Sequence, residues 1–553
     1  MTQVTSPPPP PSGPTGAVAG IGLGLRWTFL EDALRADLPT ELAFFELSPE
    51  NYMRRGGYYP EALSRVRARR PLRSHGLMLD LGGRDPLDLE YLRQLREFLD
   101  AMELDAHSDH LCWSRSRDRY LHELLPIEWT EAEAQRIGRR IREVSRRLGR
   151  PLAIENISAY AELGEPVDPR REAAFITRVL EVADCRLLLD VNNAAINGEN
   201  FGFDPWDFVS ALPLERVESL HVAGGQRLEY LDGRLIDTHG SSVNAQVRDL
   251  MMRTLQHTGP RPVLYERDND IPSFAQLCEE VVELHAAYAE ATATAPTTLP
   301  SPGLVELRAE GPCDPDSACD YYLHPSPTDV PAGWSPEAAA LYRRLVRGAL
   351  RQPLYSFLER SAARLGASFD RAVDAWLAEG ASPSPYLRDL PHDFVDWLAA
   401  APERRAEMPE WIVELMRHEL VHYRVSNAVA LPVSDAAYGF VLDRPLRFVL
   451  PCERMDYEHA VHQLPAAIDD RSEARREATR LLVYRDEAFV VHYLELSEFA
   501  AGLLDRLLAS QSVESSLREL LDIAEGPLPD ERLASAGHLL FELAKRSLLT
   551  VGD

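Results

Sequence analysis

Between Ile21 and Ala291, eight short apolar runs alternate with amphipathic segments of helical length, and no other feature of the sequence constrains the fold as tightly. The runs are Ile-Gly-Leu-Gly-Leu at 21–25, Ala-Phe-Phe-Glu-Leu at 43–47, Pro-Leu-Arg-Ser-His at 71–75 and Asp-Ala-His-Ser-Asp at 105–109. Pro-Leu-Ala-Ile-Glu at 151–155, Arg-Leu-Leu-Leu-Asp at 186–190, Glu-Ser-Leu-His-Val at 218–222 and Pro-Val-Leu-Tyr-Glu at 262–266 complete them. Helical periodicity falls between, at 61–68, 89–102, 130–148, 170–182 and 273–291. Such βα repetition builds a parallel sheet, because each helix returns the chain to start the next strand in the same direction. Eight units in this length predict a closed (β/α)8 TIM barrel. An open doubly wound sheet is the rival, but it seldom reaches eight strands so regularly.

The polar residues fall where such a barrel would use them. From the second run onward nearly every strand ends in a carboxylate or an imidazole: Glu46, His75, Asp109 with His110, Glu155, Asp190, His221 and Glu266. In a barrel these ends converge on one face, the face on which sites are built. Asp237 and His239, two apart in Ile-Asp-Thr-His-Gly, would point to the same side of an extended loop. One acid or imidazole at a strand end is usually a structural residue. So many together are costly to bury unless cations compensate them. The donors are imidazoles, carboxylates and the amide of Asn193, with no thiolate, a set that suits Fe, Mn or Zn. They exceed what one ion uses, so two or three ions bridged by a carboxylate such as Glu155 are expected.

Charge and composition narrow the function classes. A formal net charge of −28 weighs against nonspecific nucleic-acid binding, which needs an excess of Lys and Arg. Six cysteines in 553 residues make no disulfide framework and fit a reducing cytoplasm. Cys313 and Cys319 are close enough for a metal or redox pair, but their Pro- and Asp-rich surroundings read as a loop. No uninterrupted apolar stretch is long enough to span a membrane. Residues 1–19 read as a disordered Pro-rich leader without the basic start and apolar run of a signal peptide.

Past the barrel the periodicity breaks. Residues 292–334 are rich in Pro, Ser and Thr and read as a linker. From about 335 to 553 the pattern is mainly helical, with strand-like runs at 446–450 and 478–485, so a helical α+β domain is expected. Within it His418-Glu419-Leu420-Val421-His422 matches the HExxH zinc-protease motif. No extended signature and no third ligand follows, and an amphipathic helix accounts for the surrounding pattern.

The strand-end motifs resemble a known family. Glu-Leu-Ser-Pro-Glu-Asn-Tyr at 46–52, Ser-His-Gly at 74–76, Ser-Asp-His-Leu-Cys-Trp at 108–113 and Glu-Asn-Ile-Ser-Ala-Tyr at 155–160 come first. Leu-Asp-Val-Asn-Asn at 189–193, His-Val-Ala-Gly at 221–224, Ile-Asp-Thr-His-Gly at 236–240 and Glu-Arg-Asp at 266–268 follow in order. Together they resemble the DUF692 family of multinuclear non-haem iron-dependent oxidative enzymes (MNIO), whose barrels are xylose-isomerase-like. The resemblance implies three metal positions: one of His75, His110 and Glu155; a second sharing Glu155 and adding Asp190, His221 and Glu266; a third of Asn193, Asp237 and His239. It implies an iron-dependent oxygenase or oxidase with two or three Fe ions, mixed Fe(II)/Fe(III), and O2 as cosubstrate. The substrate would be a ribosomally made precursor peptide, modified at Cys or another core residue. Asp109, beside a ligand, would serve in catalysis through outer-shell positioning or proton transfer. Gly225 departs from the pattern, since many relatives carry a second His there.

The C-terminal part resembles the DUF2063 partner family, MbnC/HvfC-like, through Leu-Tyr-Ser-Phe-Leu at 354–358, Tyr-Leu-Arg-Asp-Leu-Pro-His-Asp-Phe-Val-Asp-Trp-Leu at 386–398 and Pro-Glu-Trp-Ile-Val-Glu-Leu at 409–415. That likeness implies leader-peptide recognition by a domain fused to the enzyme. The alternative reading is a Zn- or Mn-dependent hydrolase or isomerase of the wider barrel superfamily, which includes the endonuclease IV type. The acidic balance and Asn193, where endonuclease-type relatives have a histidine, argue against its nuclease version.

Overall fold

The protein is described by a computed structural model covering residues 18–163, 166–231, 233–299, 305–430 and 442–551; residues 1–17 of the expected leader lie outside the described residues. The chain forms two compact units. The first comprises the residues up to Met53, Ala62–Leu350 and Gly380–Leu387, and the second Arg54–Glu61, Arg351–Glu379 and Arg388 onward.

The first unit is the barrel. Its strands are β1 (Gly20–Gly24), β2 (Leu42–Leu47), β3 (Leu72–Ser74), β4 (His107–His110), β5 (Leu152–Glu155), β6 (Arg186–Asp190), β7 (Val217–Val222) and β8 (Pro262–Tyr265). They lie in the order β3-β2-β1-β8-β7-β6-β5-β4, and every pair is parallel. The remaining junction, β3 to β4, is made by a single parallel bridge, His75 to Ser108, with the Gly76 amide donating to the Ser108 carbonyl at 2.7 Å. The ring therefore closes at the mouth, through the site residues themselves.

Strand burial follows from the architecture. Interior and helix-facing sides are both covered, so β1, β4, β5 and β8 are buried along their whole length. At Gly22 a Cβ would lie 2.3 Å from the Phe44 ring, so only glycine lets that phenyl fill the barrel interior. The outer helices start at side-chain caps: Asp88 before Leu89–Ala101, Thr130 before Glu131–Leu148, Asp168 before Pro169–Ala183, and a Ser273/Gln276 capping box before Phe274–Ala291.

Three differences from the sequence expectation have local causes. The fourth strand runs 107–110 rather than 105–109, which brings His110 into the strand beside Asp109. Two antiparallel hairpins, Trp113–Ser116 with Arg119–Leu125 and Gln226–Leu228 with Arg234–Ile236, follow β4 and β7. The stretch read as linker holds a helix, Pro315–Leu323, whose Cys319 and Tyr322 are buried, with Tyr322 stacked on Trp113. Asp314 caps that helix by accepting from the Asp316 and Ser317 amides, and Pro315 occupies its first turn. The Pro and Asp that suggested a loop are helix-start residues. Cys313 and Cys319 form no pair, and all six cysteines are free thiols.

The second unit is helical with a small sheet. Helices Ala367–Ala378, Leu390–Ala400 and Ile412–Asn427 precede an antiparallel sheet of β9 (Cys452–Tyr457), β10 (Thr479–Arg485) and β11 (Val491–Glu495). Leu503, Leu504, Leu517, Leu540 and Leu543 of the closing helices pack with Leu482 of β10 into one apolar cluster. Arg485 is buried, and its guanidinium donates to the Ser426 and Ala428 carbonyls at 2.6 and 2.9 Å, satisfying the end of helix Ile412–Asn427. The HExxH motif lies on this helix with a structural role. Glu419 accepts from the Arg360 and Ser361 amides at 2.8 and 3.2 Å, which caps helix Glu359–Leu365. His418 contacts the Tyr457 hydroxyl at 3.3 Å, and burial pushes its pKa down to about 4. Among the described residues no helix is long and apolar enough to cross a membrane.

One buried acid makes the barrel's stability pH-dependent. Glu172, 6% exposed on helix Pro169–Ala183, has its carboxyl pushed up to about 8 by burial. The folded state therefore keeps a proton that the unfolded chain releases near pH 4.5, and stability falls as pH rises from there to about 8. The ceiling on this effect is about 4–5 kcal/mol, at about 1.4 kcal/mol per pH unit. Glu172→Gln is expected to raise the melting temperature at pH 8 and to leave it nearly unchanged at pH 5; an equal shift at both would contradict this assignment.

Candidate metal centre

The C-terminal strand ends bring most of the sequence-predicted donors into one buried cluster. Glu155 at the end of β5 is its hub. Its Oε2 lies 2.9 Å from His75 Nε2 and 3.3 Å from His110 Nε2, while its Oε1 lies 3.3 Å from His221 Nδ1. The two Nε2 atoms of His75 and His110 face each other at 3.3 Å, an arrangement imidazoles adopt around a shared cation. His221 Nδ1 is also 3.3 Å from Glu266 Oε2. Glu155, Asp190 and His221 are each at most 2% exposed.

Four donor groups have ligand atoms within 4.8 Å of one another: Glu46/His75/His221, His75/His110/Glu155, Glu155/Asp190/His221 and Asp190/His239/Glu266. All lie at the barrel mouth, and among the described residues none involves His418 or His422. Asp237 joins through His239, whose Nε2 is 2.8 Å from its Oδ1. His239 reaches this position in a left-handed conformation (φ 48°), not the extended loop the spacing predicts. Asn193 lies on helix Val191–Phe201 just past β6. Its Nδ2 donates to the Asn156 carbonyl, which leaves its buried Oδ1 without a partner.

The residues fit a cation cluster on the test of their own unsatisfied atoms. Asp190 Oδ2 and Asn193 Oδ1 are buried without a hydrogen-bond partner, and Glu155 Oε2, His239 Nε2 and both ring nitrogens of His221 approach one another's charged partners without meeting hydrogen-bond geometry. Leaving such atoms unpaired in a low-dielectric interior costs about 1–3 kcal/mol each, and more where charged. The ionisation pattern agrees. Burial would lower His221, but Glu266, Glu155 and Glu46 raise it well above the usual imidazole range. Burial likewise opposes the charge on His239 and His75, and neighbouring carboxylates raise both, Asp237 first for His239 and Glu155 for His75. Burial would raise Glu155, yet His75, His110 and His221 hold it well below the carboxylate range. Asp190 is raised well above its usual range by burial and by the charges of Glu155 and Asp237.

The supporting contacts were less visible in the sequence. Glu46, a strand-end acid outside the predicted ligand set, lies 3.0 Å from His221 Nε2, which directs Nδ1 at Glu155 and Glu266. Arg73 flanks Glu46 at 3.5 Å. The Asn156 side chain exchanges hydrogen bonds with the backbone of Asp190 at 2.9 and 3.0 Å, and Asp190 Oδ1 accepts the Asn193 amide. One aspartate oxygen thus caps a helix while the other faces the cluster. His75 Nδ1 meets Ser108 Oγ at 3.0 Å across the β3/β4 closure. Asp109 accepts from the Leu79 amide at 3.1 Å and the His110 amide at 2.7 Å, so both its oxygens hold backbone. At Gly76 a Cβ would sit 2.7 Å from Asp109 Oδ2 and His107 Nε2, which reserves the position for glycine. At Gly225 a Cβ would lie 2.8 Å from the Ile236 carbonyl, so this backbone is too close for a side chain at that position.

A metal ligated by these imidazoles competes with protons whose binding the neighbouring carboxylates favour, so its affinity is expected to rise with pH. Each proton displaced contributes about tenfold per pH unit. Fe(II) or Zn(II) titrations of the metal-free chain at pH 6 and 8 are expected to show much tighter binding at pH 8. A pH-independent affinity would place the metal elsewhere.

Residues 20–289 match the family described as RiPP precursor modification enzyme MbnB/TglH/ChrH, and residues 450–544 match the HvfC C-terminal domain. A UPF0276 protein of Shewanella oneidensis is 40% identical over 271 residues, spanning 49% of this chain and 95% of that protein. A UPF0276 protein of Acinetobacter baylyi is 41% identical over 267 residues, spanning 48% and 90%. Among solved structures, the chain is similar to apo 3-keto-D-glucoside 4-epimerase YcjR from E. coli, with TM-score 0.33 and 13% identity over 48% of this chain and 99% of that one.

Proposed function

We infer the function from the family to which the chain belongs, the RiPP precursor modification enzymes MbnB/TglH/ChrH, and propose a multinuclear iron-dependent oxygenase or oxidase that modifies a ribosomally made peptide. The observation that carries the reading is the buried ring of imidazole, carboxylate and amide atoms around Glu155 and His221, free of thiolate. His75, His110 and Glu155 would hold one ion, Glu155, Asp190, His221 and Glu266 a second, and Asn193, Asp237 and His239 a third. Bound iron with O2 would supply the capacity to oxidise a substrate side chain such as a cysteine.

The chain's own residues do the rest. Buried strand ends fix the donors on rigid elements, which limits reorganisation when the substrate arrives. Glu46 and Ser108 set the ring orientations of His221 and His75. Asp109 orders the Leu79 and His110 backbone, so its part is positioning. The second unit, with its HvfC-like stretch, would hold the leader of the precursor, and fusion would raise the effective concentration of the core peptide at the barrel. The overall charge of −28 favours a basic or amphipathic leader and disfavours nucleic acid.

The test is metal analysis joined to a peptide assay. Chain purified anaerobically from iron-supplemented cells is expected to carry two or three irons with a coupled mixed-valent Mössbauer signature. It is expected to change the mass of a short peptide encoded beside its gene only when O2 is admitted. Zinc or manganese bound stoichiometrically despite abundant iron would overturn the reading in favour of a hydrolase or isomerase.

A further inference from the structure

β1 is the one barrel strand that ends without an acid or an imidazole, and what it delivers to the mouth instead is Arg26. The Arg26 guanidinium pairs with Asp268 through both Nε and Nη2. Asp268, two residues beyond Glu266, accepts from His239 Nδ1 at 2.9 Å. The other ring nitrogen, Nε2, is thereby directed at Asp237 Oδ1 (2.8 Å) and Glu266 Oε2 (3.6 Å). The backbone is gripped by the same segment. The His239 carbonyl accepts from the Asp268 amide at 3.0 Å and the Asn269 amide at 3.4 Å, and Asn269 Nδ2 donates to the Thr238 carbonyl at 2.7 Å. These contacts hold a non-glycine residue in the left-handed region, a conformation that persists only when its surroundings over-determine it.

We propose that Arg26 and Asp268 are positioning residues that fix the orientation of His239, and so decide whether the Asn193/Asp237/His239 position holds its ion. This rests on the three-position reading above. The physical basis is the bracing of the imidazoles. His75 leans on a serine hydroxyl, and His110 Nδ1 is 3.8 Å from Asp109 Oδ1, beyond hydrogen-bond reach. His221 is backed by Glu46, which Arg73 flanks at 3.5 Å, and His239 is clamped by Asp268, itself paired with Arg26. His239 is also the only one of the four histidines that comes from a loop rather than a barrel strand end, so it has most to gain from an external brace. A carboxylate behind an imidazole raises the basicity of the ligating nitrogen and removes its rotational freedom.

The full-length chain, stripped of metal and titrated anaerobically with Fe(II), tests this by iron count and affinity, with a thermal melt of each variant as a fold control. His239→Ala is expected to lose one iron relative to wild type. Asp268→Ala is expected to lose the same iron, or to bind it about 10–100-fold more weakly, while the remaining irons keep wild-type affinity. Asp268→Asn, whose amide oxygen can still accept from Nδ1, is expected to recover part of that affinity, a rescue that a merely structural staple would not give. Arg26→Gln leaves the Asp268 carboxylate in place and carries the test if Asp268→Ala does not fold; its expected effect is a smaller weakening of the same iron. If His239→Ala keeps the wild-type iron count, the three-position reading itself fails. If His239→Ala loses an ion that Asp268→Ala and Arg26→Gln both retain at wild-type affinity, the positioning role is overturned and the position stands.

Discussion

The crowding of like-charged groups around Glu155 is the constraint from which the rest of the barrel mouth follows. Glu155, Asp190 and Glu266 converge with His75, His110 and His221 in a space that water barely enters. Neighbouring carboxylates raise the proton affinity of His75, His221 and His239, and burial with nearby negative charge raises that of Asp190. Glu155, Asp190, His110 and His221 each keep a buried polar atom outside hydrogen-bond geometry. A purely structural core would not be built this way, since apolar residues of similar volume would be no less stable. The cluster makes sense as a cation site whose assembly exchanges protons for metal.

How much of this was legible in the sequence divides along a physical line. The barrel was readable because the period of each strand and helix repeats along the chain, and its closing order is the one such repetition dictates. The convergence of His75, His110, Glu155, Asp190, His221 and Glu266 was readable because a strand end is marked locally, by the last apolar residue before a loop. Partners that meet only in space carry no such mark. Arg26 and Asp268 are 242 residues apart, and nothing in the periodicity of either segment announces the pair. Asn156 supports Asp190 from a different strand end, and its role appears only when β5 and β6 lie side by side. Glu46 shows the intermediate case: its place at a strand end was plain, but its partnership with His221 was not.

The same distinction bears on two motifs, one rightly set aside and one misread. His418-Glu419-Leu420-Val421-His422 has the spacing of a zinc helix, but spacing fixes only which side chains share a face, not what they face. Here Glu419 points its carboxylate at the start of helix Glu359–Leu365 and is consumed by capping. The Pro- and Asp-rich run near 314 was read as loop because those residues break helices in their interior, yet at a first turn they start them. Position within the element decides the meaning of the residue.

The closure of the barrel ties its architecture to its proposed chemistry. Seven junctions are parallel ladders, whereas β3 and β4 meet through one bridge and a few side-chain contacts: Ser74 with His107 at 2.8 Å, and His75 with Ser108 at 3.0 Å. His75 stands on one side of this seam, and His110 and Glu155 on the other. An ion held by those three would therefore span the least-bonded junction of the ring. The energy of ligation would be added where backbone pairing is thinnest, so metal binding and barrel closure would stabilise each other.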